Sequence, residues 1–113
     1  MHEMAIAQSI INIAIAAAEK QNARRITKVN LVVGELRGIV PIQLTFYFGL
    51  IAENTIASGA HLGLEVTPIT ATCKKCGETF IVEDYRYVCP KCQSGDVQTV
   101  GGTELRLRNI EVE

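Results

Sequence analysis

The four cysteines of the chain fall into two pairs with the spacing of a metal clamp. Cys73 and Cys76 form one Cys-x-x-Cys motif, and Cys89 and Cys92 form a second one, separated from the first by twelve residues. Each motif makes a tight turn that can direct two thiolates at one ion, and two such turns complete a tetrahedron with Zn–S distances of about 2.3 Å. Four cysteine ligands leave no position open for water or substrate. The pattern therefore predicts one structural zinc ion.

Two other uses of four cysteines have to be weighed against zinc. Iron in a rubredoxin-like site takes similar ligands, and a secreted chain would form two disulfides. Residues 4–18 are apolar, as in the core of a signal peptide, but Met1-His2-Glu3 is not a cationic start and polar residues interrupt the run. No apolar run reaches the roughly 18 residues of a membrane span. We therefore expect a cytoplasmic protein with no membrane association, in which the cysteines stay reduced.

The second group of residues that could bind a metal is Met1-His2-Glu3 at the chain start. The α-amine of Met1 and the imidazole of His2 have reference pKa values of about 7.7–8.0 and about 6.5, so both become nitrogen donors near neutral pH. The intervening amide nitrogens add donors that favour square-planar Ni(II) or Cu(II) over zinc. Glu3 offers a carboxylate oxygen. The alternative is that His2 is a solvated terminal residue without a metal.

The charge pattern argues against a nucleic-acid-binding protein, although many zinc ribbons bind nucleic acid. The formal net charge is −1. Between Cys73 and Gly101, four basic side chains are balanced by four acidic ones, namely Lys74, Lys75, Arg86 and Lys91 against Glu78, Glu83, Asp84 and Asp96. No basic stripe for phosphate contacts results. A zinc ribbon that binds nucleic acid or another protein stays as the alternative function. The sequence offers no serine or cysteine nucleophile with a plausible base, so it does not suggest an enzyme.

Elements that position these residues follow from hydrophobic periodicity. Residues 4–20 have helical spacing, with an apolar face at Ile6, Ile10, Ile13 and Ala17 that Ile11 and Ile15 widen. A β-branched run over 26–36 predicts a strand, and Pro41 is suited to the first position of a second helix ending near Asn54. The inner face of that helix is predicted at Leu44, Phe48 and Ile51. Alternation of Leu62, Leu64 and Val66 predicts another strand.

The last strand carries an irregular pattern. Leu105 and Leu107 alternate with charges, and then Ile110 and Val112 continue in the opposite phase. One residue too many lies between the two pairs. A β-bulge there would place all four apolar side chains on one face, so we predict a bent final strand.

Together these elements predict an α+β fold. It has a small sheet of about three strands with two helices, plus an inserted zinc-ribbon domain. We expect residues 1–69 with 103–113 to form the α+β domain that carries the amino terminus, and residues 70–102 to form the zinc-binding domain. Gly101 and Gly102 mark the return between them.

Four segments in order resemble one known family over the whole chain. They are the start Met-His-Glu, the segment Gly34-Glu35-Leu36-Arg37-Gly38-Ile39-Val40-Pro41, the two Cys-x-x-Cys motifs, and the ending from Glu104 to Glu113. Together they resemble the HypA/HybF nickel metallochaperones of nickel–iron hydrogenase maturation.

The resemblance implies a nickel site made by the Met1 amine, the His2 imidazole and nearby backbone nitrogens, with Glu3 in support. It also implies transported Ni(II), structural Zn(II), and two protein partners: a GTPase accessory protein of hydrogenase maturation and the hydrogenase large-subunit precursor. Some relatives serve urease, which adds urease maturation proteins. The other histidine, His61, opens a predicted strand and is expected to be an ordinary surface residue.

Overall fold

The computed structural model describes residues 3–113. Within that range the helices are α1 (Glu3–Lys20) and α2 (Pro41–Ala52), and a 3-10 turn spans Glu35–Arg37. The strands are β1 (Ile26–Gly34), β2 (His61–Thr67), β3 (Thr70–Cys73), β4 (Thr79–Ile81), β5 (Val97–Gly101) and β6 (Leu105–Val112). No helix of this part of the chain has the length and hydropathy needed to cross a bilayer.

The first sheet has the strand order β2-β1-β6, which confirms the predicted small sheet with two helices. β1 lies in the centre, parallel to β2 and antiparallel to β6. Parallel strands need a crossover connection, and α2 provides it. Alternate residues of β1, namely Val29, Leu31 and Val33, point into the core shared with both helices.

The predicted bulge in the last strand is present. The register of β6 against β1 shifts by one residue at Arg108, which lies between the paired residues Leu107 and Asn109. Three of the four apolar side chains therefore pack against the core, namely Leu105, Leu107 and Ile110. Val112, the fourth, is exposed. The phase change in the sequence thus located the bulge, but the buried face ends before Val112.

Burial along the helices and β2 differs from the sequence prediction at several positions. Ile13 is exposed, and the apolar residues that α1 buries are Ala7, Ile10, Ile11, Ala14 and Ala18. Small alanine side chains at helical spacing allow neighbouring elements to approach α1 closely. In α2, Leu44 and Phe48 are buried as predicted, Ala52 joins them, and Ile51 is half-buried. On β2, Leu62 is buried but Val66 is exposed.

The second sheet has the order β4-β3-β5 and is antiparallel throughout. It has a small apolar cluster of its own. The buried members are Ile69, Ala71 and Val82, and the half-buried ones are Phe80, Tyr87 and Val97. Three buried side chains are a small core for about thirty residues, because so short a segment buries little surface. The segment therefore needs a further source of stability.

The two connections between the sheets pack against the 3-10 turn. The amide of Leu36 donates to the carbonyl of Gly102 at 2.8 Å, and Nε of Arg37 donates to the carbonyl of Thr103 at 2.7 Å. A Cβ on Gly34 would overlap the carbonyl of Gly102, and a Cβ on Gly102 would lie 2.8 Å from Cα of Ile69. Both glycines are therefore required for close packing, and the predicted return at Gly102 is a tightly packed crossing.

Glu104 links both connections. Its Oε2 accepts from the hydroxyl of Thr67 at the end of β2, and its Oε1 accepts from the amide of Gly102 at 3.1 Å. Its backbone carbonyl accepts from the amide of Gly34 at 2.6 Å. The Thr67 hydroxyl, followed by the Gly102 amide, lowers the pKa of the Glu104 carboxyl because both groups donate to the ionised form. The charged carboxylate therefore holds this junction together.

Replacing Glu104 with glutamine should make the free energy of unfolding less dependent on pH in the acid range. Because the folded-state pKa of Glu104 is lowered, its contribution is fully present above the ordinary glutamate pKa of about 4.3 and is lost as pH falls through the lowered value. We expect the free energy of unfolding of Glu104→Gln to lie below that of the wild type at pH 7 and to converge with it under stronger acid. Denaturant titrations at several pH values measure this. The exposed Glu111 on the same strand provides the control Glu111→Gln, and parallel curves for all three proteins would contradict the assignment.

Candidate metal centre

The structure brings the four cysteine sulfur atoms together. Cys73 ends β3 and Cys76 follows in the turn before β4, whereas Cys89 and Cys92 lie in the turn before β5. All four Sγ atoms lie within 4.8 Å of one another, with 3.6 Å between Cys73 and Cys92 and 3.6 Å between Cys76 and Cys89. A tetrahedral ion with Zn–S bonds of about 2.3 Å requires sulfur separations of about 3.8 Å. The arrangement fits one zinc-sized ion and is too wide for disulfides, whose S–S bond is about 2.05 Å.

The two cysteine turns have the same backbone hydrogen bonds. In the first, the amide of Cys73 donates to the carbonyl of Glu78 at 2.8 Å, and the amide of Gly77 donates back to the carbonyl of Cys73 at 2.9 Å. In the second, the amide of Cys89 donates to Ser94 and the amide of Gln93 donates back to Cys89, both at 2.9 Å. Each pair of cysteines therefore sits on a turn of defined geometry, and the two turns face each other across the sulfur cluster.

The position after the second cysteine adopts a left-handed conformation in both turns. It is Gly77 in the first, with φ of 80°, and Gln93 in the second, with φ of 64°. Glycine adopts this conformation without steric cost, whereas a residue with a Cβ is disfavoured there by about 1–2 kcal/mol. Gln93 is therefore a strained residue within the candidate metal centre.

Replacing Gln93 with glycine should stabilise the cysteine-bearing segment by about 0.5–1 kcal/mol, because the strain is relieved and the hydrogen bond from its amide is kept. The reciprocal change Gly77→Gln should destabilise it by a similar amount. The midpoint of zinc loss from the zinc-loaded protein under increasing chelator, followed by the absorbance of a chromophoric zinc chelator, measures both effects. If Gln93→Gly loses metal more easily than the wild type, the equivalence of the two turns is wrong.

Backbone amides also tune the thiols. The backbone N–H of Cys76, assisted by that of Lys75, lowers the pKa of the Cys73 thiol to about 7, even though burial opposes the shift. At Cys76 the amide of Glu78 acts in the same sense, but burial and the neighbouring sulfur atoms of Cys89 and Cys73 outweigh it and raise the pKa to about 11. One thiolate thus forms readily, and further deprotonation is resisted by the sulfur atoms around it. A bound cation would relieve that resistance.

Of the amino-terminal residues, Met1 and His2 lie outside the described residues, and Glu3 begins α1. The Glu3 side chain is only 7% exposed, and its Oε2 accepts from the backbone amide of Val40 at 3.1 Å. Val40 caps the start of α2. The buried carboxylate therefore ties the start of α1 to the loop before α2, a contact that sequence patterns do not reveal because it joins residues 37 positions apart.

Sequence reasoning also missed the junction residues Glu104 and Thr67. The only signal available was the inclusion of Glu104 in the ending that resembles the family. His61 is exposed at the first position of β2, as expected for an ordinary surface residue. Among residues 3–113, the four cysteines form the one group of three or more metal-ligating side chains.

Comparison with known proteins identifies a matching family and similar relatives. The family described as "Hydrogenase/urease nickel incorporation, metallochaperone, hypA" matches residues 1–112. Similar relatives named hydrogenase maturation factor HypA occur in Picosynechococcus sp., 39% identical with 99% of each chain covered, and in Dehalococcoides mccartyi, 35% identical with 100% of this chain and 95% of the relative covered.

Solved structures agree with the sequence comparison. The solution structure of the Ni metallochaperone HypA from Helicobacter pylori superposes with a TM-score of 0.68 at 26% identity, covering 99% of this chain and 97% of that one. A second solution structure of a HypA protein gives a TM-score of 0.74 at 28% identity, covering 100% and 97%. Because the family match spans both sheets, the cysteine cluster and the amino-terminal segment, this chain belongs to the HypA family of hydrogenase maturation metallochaperones.

Proposed function

We propose that this protein binds Ni(II) as cargo at its amino terminus and delivers it for nickel–iron hydrogenase maturation. The observation that carries the proposal is membership of a nickel-incorporation family over residues 1–112. The proposed donors are the Met1 amine, the His2 imidazole and the amide nitrogens between them, a set that suits square-planar Ni(II). The proposed partners are the GTPase accessory protein and the hydrogenase large-subunit precursor, with urease maturation proteins as a further destination.

Glu3 supports the site by fixing the chain beside it. Its buried carboxylate is held by the amide of Val40, so the two residues before it start from a defined anchor. A ligand group followed directly by a fixed residue loses less conformational freedom on binding. The positive end of the α1 dipole opposes a cation there by about 0.3–1 kcal/mol, and the negative charge of Glu3 offsets part of this. A carrier benefits from such moderate affinity because it must release its cargo.

We also propose that Cys73, Cys76, Cys89 and Cys92 hold one structural zinc ion. The sulfur separations fit tetrahedral zinc, and four thiolates leave no coordination position for chemistry. In this proposal residues 70–102 form the zinc-binding domain, and residues 1–69 with 103–113 form the nickel-binding domain. Four free cysteines suit a reducing compartment, so the proposed location is the cytoplasm.

Elemental analysis of the untagged protein, saturated with nickel and desalted, tests the proposal. We expect one nickel and one zinc per chain, and we expect His2→Ala to lose the nickel and keep the zinc, because the imidazole is a donor only to the first ion. The control His61→Ala removes the exposed histidine of β2 and should retain both metals. Zinc alone in the wild-type protein would refute the carrier function.

A further inference from the structure

Strand β6 lies at one edge of the first sheet, and among residues 3–113 it pairs only with β1. The outer edge of such a strand exposes a row of backbone N–H and C=O groups that can pair with a further strand. Proteins often keep edge strands very short to prevent this pairing, whereas β6 has eight residues. The outer edge of β6 is therefore a candidate surface for the addition of a strand.

The side chains of β6 are distributed between the two faces of the sheet in an order that reads the same in both directions. Residues paired across two strands share a face, so the β1 partners identify the face of each β6 residue. The residues of the inner face, which pair with core residues of β1, are Leu105, Leu107, Ile110 and Val112. The residues of the outer face are Arg106, Asn109 and Glu111, together with Arg108, which pairs with Glu65 there. From residue 105 to residue 112 the order is therefore in, out, in, out, out, in, out, in.

This mirror-symmetric order is what pairing with a second copy of the same strand requires. In an antiparallel pair about a two-fold axis, each residue lies opposite the residue that is equally far from the midpoint. With the midpoint between Arg108 and Asn109, every residue of β6 lies opposite a residue of its own face. The bulge is at the centre of the strand, which keeps the two halves in matching phase. A slip by one residue would place apolar side chains opposite charged ones.

The charges of β6 are complementary under the same pairing. Arg106 lies opposite Glu111 of the second copy, and the two-fold axis repeats this contact. Both side chains are exposed, and neither forms an ion pair within the described part of the chain. Opposite charges directly across two strands stabilise the pairing, and like charges destabilise it. Bulges and charges can also protect an edge strand, but protection does not require opposite signs at mirror-related positions.

An apolar groove lies beside this edge, on the inner face of the sheet. Its volume is about 300 Å³, and the apolar residues that line it are Ile6, Ile10, Ile13, Leu31, Leu105 and Leu107. Ile13 is 55% exposed and Val112 is 39% exposed. The pairing places Val112 of the second copy opposite Leu105, at the border of the groove. A second copy would therefore bury apolar surface that a single chain leaves in contact with water.

We propose that two copies of this protein associate through β6 about a two-fold axis. The two three-stranded sheets then form one sheet in the order β2-β1-β6-β6-β1-β2, with the helices of both copies on one face. The occupant of the free edge is a second copy because the face order and the charges of β6 are both self-complementary. The paired residues 105–112 include no proposed metal ligand, so this contact can be tested independently of the nickel proposal.

Sedimentation of the full-length protein from micromolar to millimolar concentration tests the dimer. We expect a monomer–dimer equilibrium for the wild type. Arg106→Glu and Glu111→Arg should each raise the dimer dissociation constant at least about 10-fold, because like charges then lie opposite each other in both symmetry-related pairs. The control Glu19→Arg makes the same change of charge at an exposed position of α1 and should dimerise as the wild type does. A wild-type protein that stays monomeric throughout would overturn the proposal.

Mixing the two single variants distinguishes a charge contact from damage to the fold. When Arg106→Glu pairs with Glu111→Arg, opposite charges again face each other at both positions. An equimolar mixture should therefore recover wild-type dimerisation, although each variant alone does not dimerise well. The double variant Arg106→Glu/Glu111→Arg should also dimerise with itself. A dimer that persists in both single variants, or one that the mixture does not restore, would place the contact elsewhere and refute the pairing through β6.

Discussion

Enzymatic acetylation of the α-amine of Met1 should abolish nickel binding at the amino terminus and leave the zinc content unchanged. Acetylation converts the amine into an amide and so removes the terminal nitrogen donor beside His2, and every side chain is retained. Loss of an outer-shell partner already lowers metal affinity about 10- to 100-fold, and loss of a direct donor should cost more. Competition with a coloured nickel chelator measures the affinity, and elemental analysis measures the zinc.

The control is the same protein carried through the incubation without the acetyl donor, which should bind nickel with unchanged affinity. Acidification provides a second check. Nickel should be expelled as pH falls through the histidine range, because protons compete for the imidazole. Wild-type nickel affinity in the acetylated protein would mean that the donors lie elsewhere in the chain, and the proposed site would have to be abandoned.

Short-range pattern was sufficient to predict much of the fold. Pro41 at the first position of α2 and the β-branched run of β1 are local signals, and the structure has both elements. The bulge at Arg108 was also predictable, because strand side chains alternate with a period of two and the change of phase is visible in the sequence. Each of these features depends on neighbours in the sequence alone.

Other features depend on contacts between distant residues. The sequence pattern placed Ile13 on the inner face of α1. In the structure Ala7, Ala14 and Ala18 pack inward instead, and Ile13 is exposed. Periodicity identifies an apolar face without giving its centre when apolar residues cover more than half of a helix. The bond from Val40 to Glu3 and the link from Thr67 to Glu104 each join residues 37 positions apart. Only the folded chain reveals them.

The cysteine cluster has one feature that the sequence predicts and another that it does not. Its spacing predicted one ion from the sequence, and the structure gives sulfur separations that fit the ion. The matching hydrogen bonds of the two turns, including the left-handed Gln93, were not predictable, because glutamine gives no sign of that conformation. The arrangement of the four sulfur atoms therefore depends on the geometry of the two turns as well as on the spacing of the cysteines.

Replacing Cys89 with serine should unfold the cysteine-bearing segment and leave the first sheet intact. A neutral hydroxyl is a poor substitute for a thiolate, and structural zinc supplies an apparent 10–16 kcal/mol or so to small zinc-dependent modules. The apolar cluster of this segment has only three buried members, Ile69, Ala71 and Val82, which is too little surface to replace the lost ligand. Amide NMR spectra should lose dispersion for residues 70–101 and keep it for β1, β2 and β6.

The position of Cys89 makes the comparison sharp. Cys89 is buried, and its amide and carbonyl define the second turn through Ser94 and Gln93. Lys91 lies exposed in the same turn, so Lys91→Ser introduces the same side chain without removing a ligand and should keep both zinc and dispersion. If Cys89→Ser retained the full spectrum, the segment would owe its fold to packing alone. Because the nickel donors lie in the other domain of the proposal, Cys89→Ser should still bind nickel, which separates an architectural role of zinc from a role in cargo binding.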